Sequence, residues 1–166
     1  MNRGYTRDYY LSLVDEIRSK VTNISLTTDI LTGFPGETEE DFQLTLDMMK
    51  RCAFNSVFAF KYSAREGTAS FNITETVSEE EKERRHLLIQ ETADKMSIAK
   101  HAELLNSTQN VLVEKTDNHF CTGRTRSNLK VFFQAPKRIK FNSKLVNVKI
   151  TKTKINTLTG VLGEEY

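Results

Sequence analysis

Two glycines bracket a Phe-Pro pair at Gly33–Gly36, with Asp29 just upstream and Glu37 immediately after. Glycine permits a positive φ or a close approach of the backbone to another group, while proline fixes φ and withholds an N–H from strand pairing. A turn of this kind, leading from the end of a strand into the start of a helix, is where α/β folds place ligands. A purely structural turn uses the same residue types. A second set of candidates is basic: Arg124, Arg126 and Lys130 are interleaved with strand formers, which suits contact with a polyanion.

The charge balance supports that division. Residues 1–100 hold 13 Lys+Arg and 17 Asp+Glu, a net of −4, whereas residues 101–166 hold 11 and 5, a net of +6. Such an asymmetry predicts two units, 1–100 and 101–166, the second facing a polyanion. Cys52 and Cys121 are the only cysteines and are far apart, so neither a disulfide framework nor a CxxC metal site is expected. His86, His101 and His119 have no mutual ligand spacing, and no metal site is expected from them. No Ser/His/Asp order and no GxxxxGK[ST] loop supports a hydrolase or a nucleotidase. No apolar run approaches the ~18 to 20 residues of a membrane span, and a soluble, cytoplasmic protein is expected.

The elements that must carry these residues alternate. Thr6 caps a predicted helix with Tyr10, Leu13, Val14, Ile17 and Val21 on one face. A strand follows over Ile24–Leu31, and Thr38 caps a second helix whose stripe is Phe42, Leu46, Met49 and Ala53. Phe54–Tyr62 is aromatic and β-branched, hence a strand. Ser78–Glu81 reads as a capping box opening a long helix with Leu88, Thr92, Met96 and Ala99 on one side. From Val111 the period becomes that of strands: Val111–Val113, Cys121–Arg126, Lys130–Gln134, Leu145–Thr151 and Thr157–Leu162. The predicted class is therefore α/β followed by all-β, the second part a small five-stranded, OB-like antiparallel barrel.

The segment Thr28–Phe42 (TDILTGFPGETEEDF) resembles the TDIIVGFPGETEEDF segment of radical S-adenosylmethionine methylthiotransferases, with Leu31 and Thr32 in place of Ile and Val. Met1–Thr6 resembles the family's MNRxYT segment, and Phe60–Ser70 its FxYSPREGTPA loop, with Ala64 and Ala69 where the family has prolines. Thr122–Asn128 and Leu145–Thr151 resemble the family's TRAM domain. The resemblance implies the C-terminal portion of a radical SAM α/β barrel over 1–100 and a TRAM RNA-binding domain over 101–166.

It further implies an S-adenosylmethionine wall formed by Asp29, Gly33, Phe34, Pro35, Gly36, Glu37 and Arg65, and RNA contacts through Arg124, Arg126 and Lys130. Arg65 at a barrel mouth can grip a carboxylate or phosphate bidentately; a surface pair with Glu66 is the plainer alternative. Phe132 and Phe133 can stack on bases, although alternation along a strand turns one of them inward. The family's 4Fe-4S clusters need a CxxxCxxC triplet, absent here, so their ligands are expected outside this chain. No catalytic residue is assigned within it. The opening segment and Phe54–Phe60 are most similar to the branch that adds a methylthio group to C2 of N6-isopentenyladenosine beside the anticodon. The implied partners are the tRNA anticodon stem-loop and the missing N-terminal part of the enzyme. A non-catalytic TRAM-type RNA-binding protein is the alternative, as is a methylthiotransferase acting on threonylcarbamoyl-adenosine or a ribosomal protein.

Overall fold

The computed structural model describes residues 3–136 and 142–163, and the chain divides into two compact units, Met1–Met96 and Ser97–Tyr166. Met1 and Asn2 of the opening segment lie outside the described residues.

The first unit alternates helix and strand. Helix α1 (Arg7–Lys20) begins where the Thr6 hydroxyl accepts the Tyr9 N–H. Its buried side is Leu11 and Val14, while Leu13 and Val21 are exposed. The expected stripe was therefore rotated by part of a turn. Strand β1 (Thr27–Thr32) pairs in parallel with β2 (Ser56–Lys61), and α2 (Glu39–Cys52) forms the crossover between them. Thr38 caps α2 in a full capping box: its hydroxyl accepts the Asp41 N–H, and the Asp41 carboxylate accepts the Thr38 N–H. Ala53 ends α2 in the left-handed region at φ 42°.

Because side chains alternate along a strand, β1 and β2 have two distinct faces. Ile30 packs with Phe42 and Met49 of α2 and with Ile89 of the third helix, and Val57 and Ala59 add to that cluster. On the other face Asp29 and Leu31 stand opposite Phe58 and Phe60, and both phenylalanines are exposed. Parallel sheets are ordinarily covered on both sides.

Helix α3 (Glu79–Ala102) runs from the first unit into the second. Of the expected face, Leu88 and Met96 pack against the Ile30, Phe42, Met49 and Ile89 cluster and Thr92 is half-buried, while Ala99 is exposed; the fully buried line begins with Lys82, Arg85 and Ile89. Hydrophobic periodicity misses this line because its first two members are cations, neutralised locally by carboxylates.

The second unit is a closed five-stranded barrel of β3 (Thr108–Asp117), β4 (Phe120–Thr125), β5 (Lys130–Gln134), β6 (Leu145–Thr153) and β7 (Thr157–Leu162), in the order β3-β4-β5-β7-β6. The expected antiparallel barrel is corrected to a mixed one, since β5 and β7 run parallel. A ring with an odd number of strands cannot alternate direction all the way round, so closure itself demands one parallel pair. Val111, Val113, Cys121, Val131, Phe133, Val146, Val148, Ile150 and Leu158 fill the interior. Two bulges, at Val113/Lys115 and Ile150/Lys152, each adjoin a glycine partner, Gly123 and Gly160. A Cβ there would stand 2.3 Å from the Leu112 carbonyl oxygen and 2.5 Å from that of Lys149, so the strands close only around these glycines.

Candidate functional site

The glycine turn is tied down from beneath by the stretch 75–85. Gly33 and Gly36 have φ of +75° and +87°. The Gly33 N–H donates to Glu37 Oε2 at 2.7 Å, and the Glu37 N–H donates to the Phe34 carbonyl at 2.9 Å. Arg85 donates from Nη1 to the same Glu37 oxygen at 2.7 Å and to the Glu37 carbonyl at 3.2 Å, and from Nε to Glu81 at 2.7 Å. The Gly36 N–H donates to Thr76 Oγ1 at 2.7 Å. Lys82, 1% exposed, lays its stem under the turn and reaches Glu75 and Glu79, each at 2.7 Å. A Cβ on Gly33 would lie 2.4 Å from Lys82 Cγ, whereas a Cβ on Gly36 would meet nothing within 4 Å. Phe34 meets Tyr62 edge-on at 5.2 Å, and Pro35 is buried.

The electrostatics are those of buried cations with dedicated partners. Hydrogen bonds that Lys82 donates to Glu75 and Glu79 raise its pKa, outweighing burial. Burial pulls the Arg85 pKa down, but the hydrogen bonds of Glu37 and Glu81 outweigh it and hold the guanidinium charged. Arg84, and then Arg85, bring the Glu81 carboxyl down to about 2.

The expected cofactor residues thus separate into two kinds. Gly33, Phe34, Pro35 and Glu37 are engaged within the protein, while Asp29, Gly36 and Arg65 are exposed. Asp29 lines a cleft of about 770 Å³ with Arg3, Arg7, Asp41 and Met48, and the other six expected residues do not line it. Neither Lys82 nor Arg85 figures among the residues expected from sequence; a cation recurring at helical spacing beneath an acidic cap was the available signal. The iron–sulfur group does not fit this chain: Cys52 and Cys121 are each buried, and among the described residues no three His, Cys, Asp or Glu side chains are placed to share a metal ion.

On the barrel, alternation sorts β4 and β5 cleanly. Cys121, Val131 and Phe133 point inward; Phe120, Thr122, Arg124, Lys130 and Phe132 point outward. Arg124 and Lys130 are direct cross-strand partners, as are Thr122 and Phe132. Arg124 is steered by Glu114 (Nε to Oε1, 3.1 Å) and by the Asn128 carbonyl (3.1 Å), and Lys130 Nζ sits 5.1 Å from the Phe132 ring centroid. Phe120, unremarked in the sequence, is 55% exposed and lies against His119 with ring centroids 4.8 Å apart. The row continues across the barrel, Phe132 pairing with Thr159 and Thr159 with Lys152. Arg126 lies beyond the end of β4, in the turn before β5, and is exposed. Like charges set opposite each other repel unless an anion or a carboxylate joins them, and here the Glu114 carboxylate takes the Nε side of Arg124. Lys137, Arg138 and Lys140, which add to the positive charge of this half, lie outside the described residues.

Residues 103–162 match the TRAM domain family. Over 99% of its length the chain is 43% identical to a tRNA-2-methylthio-N(6)-dimethylallyladenosine synthase of Thermoanaerobacter sp. (strain X514), covering 35% of that protein. It is 44% identical over 98% of its length to the protein of the same name from Carboxydothermus hydrogenoformans, covering 37% of it, and 41% identical over 96% to that of Endomicrobium trichonymphae, covering 38%. The chain therefore spans little more than a third of the length of these curated relatives. No helix among the described residues is long and apolar enough to cross a membrane. With a TRAM barrel at one end and this similarity running through both units, the chain is similar over nearly its whole length to the C-terminal part of these tRNA-2-methylthio-N(6)-dimethylallyladenosine synthases.

Proposed function

We propose that this chain is the C-terminal part of a cytoplasmic radical SAM tRNA methylthiotransferase that adds a methylthio group to C2 of N6-isopentenyladenosine beside the anticodon. The observation that carries the reading is the 43% identity running through both units, not the TRAM barrel alone. In this reading residues 1–100 are the end of the radical SAM barrel, and 101–166 hold the tRNA anticodon stem-loop. The bare sheet face bearing Asp29, Phe58 and Phe60 is what a strand pair left open by an absent remainder of a barrel would present.

S-adenosylmethionine and 4Fe-4S clusters, the latter held by residues outside this chain, supply radical chemistry and sulfur in the complete enzyme. The chain's own residues bind and orient. In the cleft, exposed Asp29 carries a charge that complements an ammonium; exposed Arg65 carries one that complements a carboxylate, and it and the turn Gly33–Glu37 form a separate stretch of the wall. Arg124, Arg126 and Lys130 meet tRNA phosphates, and Phe132 offers a face to an unpaired base. The 166 residues by themselves are inactive.

The test is nucleoside mass spectrometry of isopentenylated tRNA after incubation with the full-length, cluster-loaded enzyme. A methylthio gain on the isopentenyladenosine is expected. Bound but unmodified tRNA would favour a non-catalytic RNA-binding protein, and a gain on threonylcarbamoyl-adenosine or on a ribosomal protein would move the chain to another branch.

A further inference from the structure

Both glycine amides of the turn Gly33–Glu37 face the protein. Their N–H groups are consumed by side chains, Glu37 for Gly33 and Thr76 for Gly36, and the consuming Glu37 oxygen is itself held by Arg85. A carboxylate oxygen receiving a backbone N–H and a guanidinium N–H, each at 2.7 Å, is committed to the protein. The space on the inner side of Gly33 is committed too, since the Lys82 stem occupies the position of a Cβ.

We infer that Arg85, Thr76 and Lys82 are positioning residues for this turn, with Glu37 serving as their anchor instead of a cofactor contact. The inference rests on the reading of the turn as an adenosylmethionine wall, and it changes the roles within that wall. Gly33 is a glycine because Lys82 lies beneath it, and residues 75–85 set cofactor affinity without touching the cofactor. The wall is as rigid as its three supports. Arg85 fixes one end through a fork shared between Glu37 and Glu81, Thr76 fixes the other, and Lys82 fills the floor. Lysine in place of Arg85 keeps the charge but cannot reach both carboxylates in the same planar geometry.

The experiment uses the full-length, cluster-loaded enzyme, with calorimetry of S-adenosylmethionine binding, filter binding of tRNA, and hydrogen exchange at the Gly33 and Gly36 amides. R85M should weaken cofactor binding about ten-fold, as loss of a charged hydrogen bond does, and speed Gly33 exchange, with tRNA affinity held within about two-fold. R85K should recover part of both. T76V, a near-isosteric change at an exposed position, should speed Gly36 exchange and weaken cofactor binding several-fold, and it carries the test if R85M does not fold. E37Q/R85M should bind the cofactor no worse than R85M alone, because the Glu37–Arg85 bond is absent from both and the glutamine carbonyl still accepts the Gly33 N–H. Losses that multiply in the double variant would show that Glu37 touches the cofactor and would overturn the inference. Wild-type affinity in R85M and T76V would also overturn it; if G36V then still lost affinity, the turn assignment would survive, and if G36V lost none, that assignment would fall as well.

Discussion

Phe132 and Phe133 are adjacent in sequence and lie on opposite sides of the barrel wall, Phe132 37% exposed and Phe133 2%. The two should therefore fail differently when truncated. Phe132→Ala should weaken binding of unpaired RNA by about 1 to 3 kcal/mol per stacked base and leave thermal unfolding nearly unchanged. Phe133→Ala opens a core cavity and should cost about 3 to 5 kcal/mol of stability. Unfolding curves and RNA titrations on the two variants separate these outcomes, and equal RNA affinity in Phe132→Ala and parent would remove the stacking role.

The carboxylate cluster on α3 predicts an acid limb in the stability of the first unit. Glu81 is held at about 2 against an ordinary 4.5, so its contribution is complete above about pH 4.5 and is lost as pH falls towards about 2, where the folded form must also take up the proton. Lys82, raised above 10.5, has the opposite sign: its contribution is complete below that value and fades as pH climbs through the folded value. Urea unfolding at a series of pH values should show a shallower acid limb for E81Q than for the parent. An unchanged slope between pH 4.5 and 2 would contradict the assignment.

Gly123→Ala and Gly160→Ala should each destabilise the barrel by about 1 to 3 kcal/mol, because the added methyl is directed at a neighbouring strand's carbonyl oxygen. Thermal unfolding of the barrel is the measurement, and a variant as stable as the parent would mean that the bulges relax to admit a Cβ.

Element order was legible because caps and periods are local. Thr6 and Thr38 announce α1 and α2, and the change to alternation after Val111 announces the barrel. The parallel β5–β7 pair was not, since strand order is a long-range property and five similar strands read alike until the ring is closed. On the candidate site, the glycine turn stood out from its residue types, but its supports did not: Lys82 and Arg85 look like surface charges on an acidic helix, and only the fold puts Gly33 and Glu37 against them. Arg124 and Lys130 pair across the short turn between β4 and β5, whereas Arg126, expected as the last residue of its strand, lies beyond β4, which ends at Thr125.

If the basic outer face of the second unit grips tRNA through its backbone, tRNA filter binding at several salt concentrations should separate the parent from R124A/K130A. Each phosphate contact contributes roughly 0.7 to 0.9 to the slope of log affinity against log salt, so the double variant should show a slope shallower by about 1.4 to 1.8, with a similar loss on unrelated tRNAs. A double variant with the parent's slope and affinity would mean that the paired cations at the centre of the face do not meet the RNA.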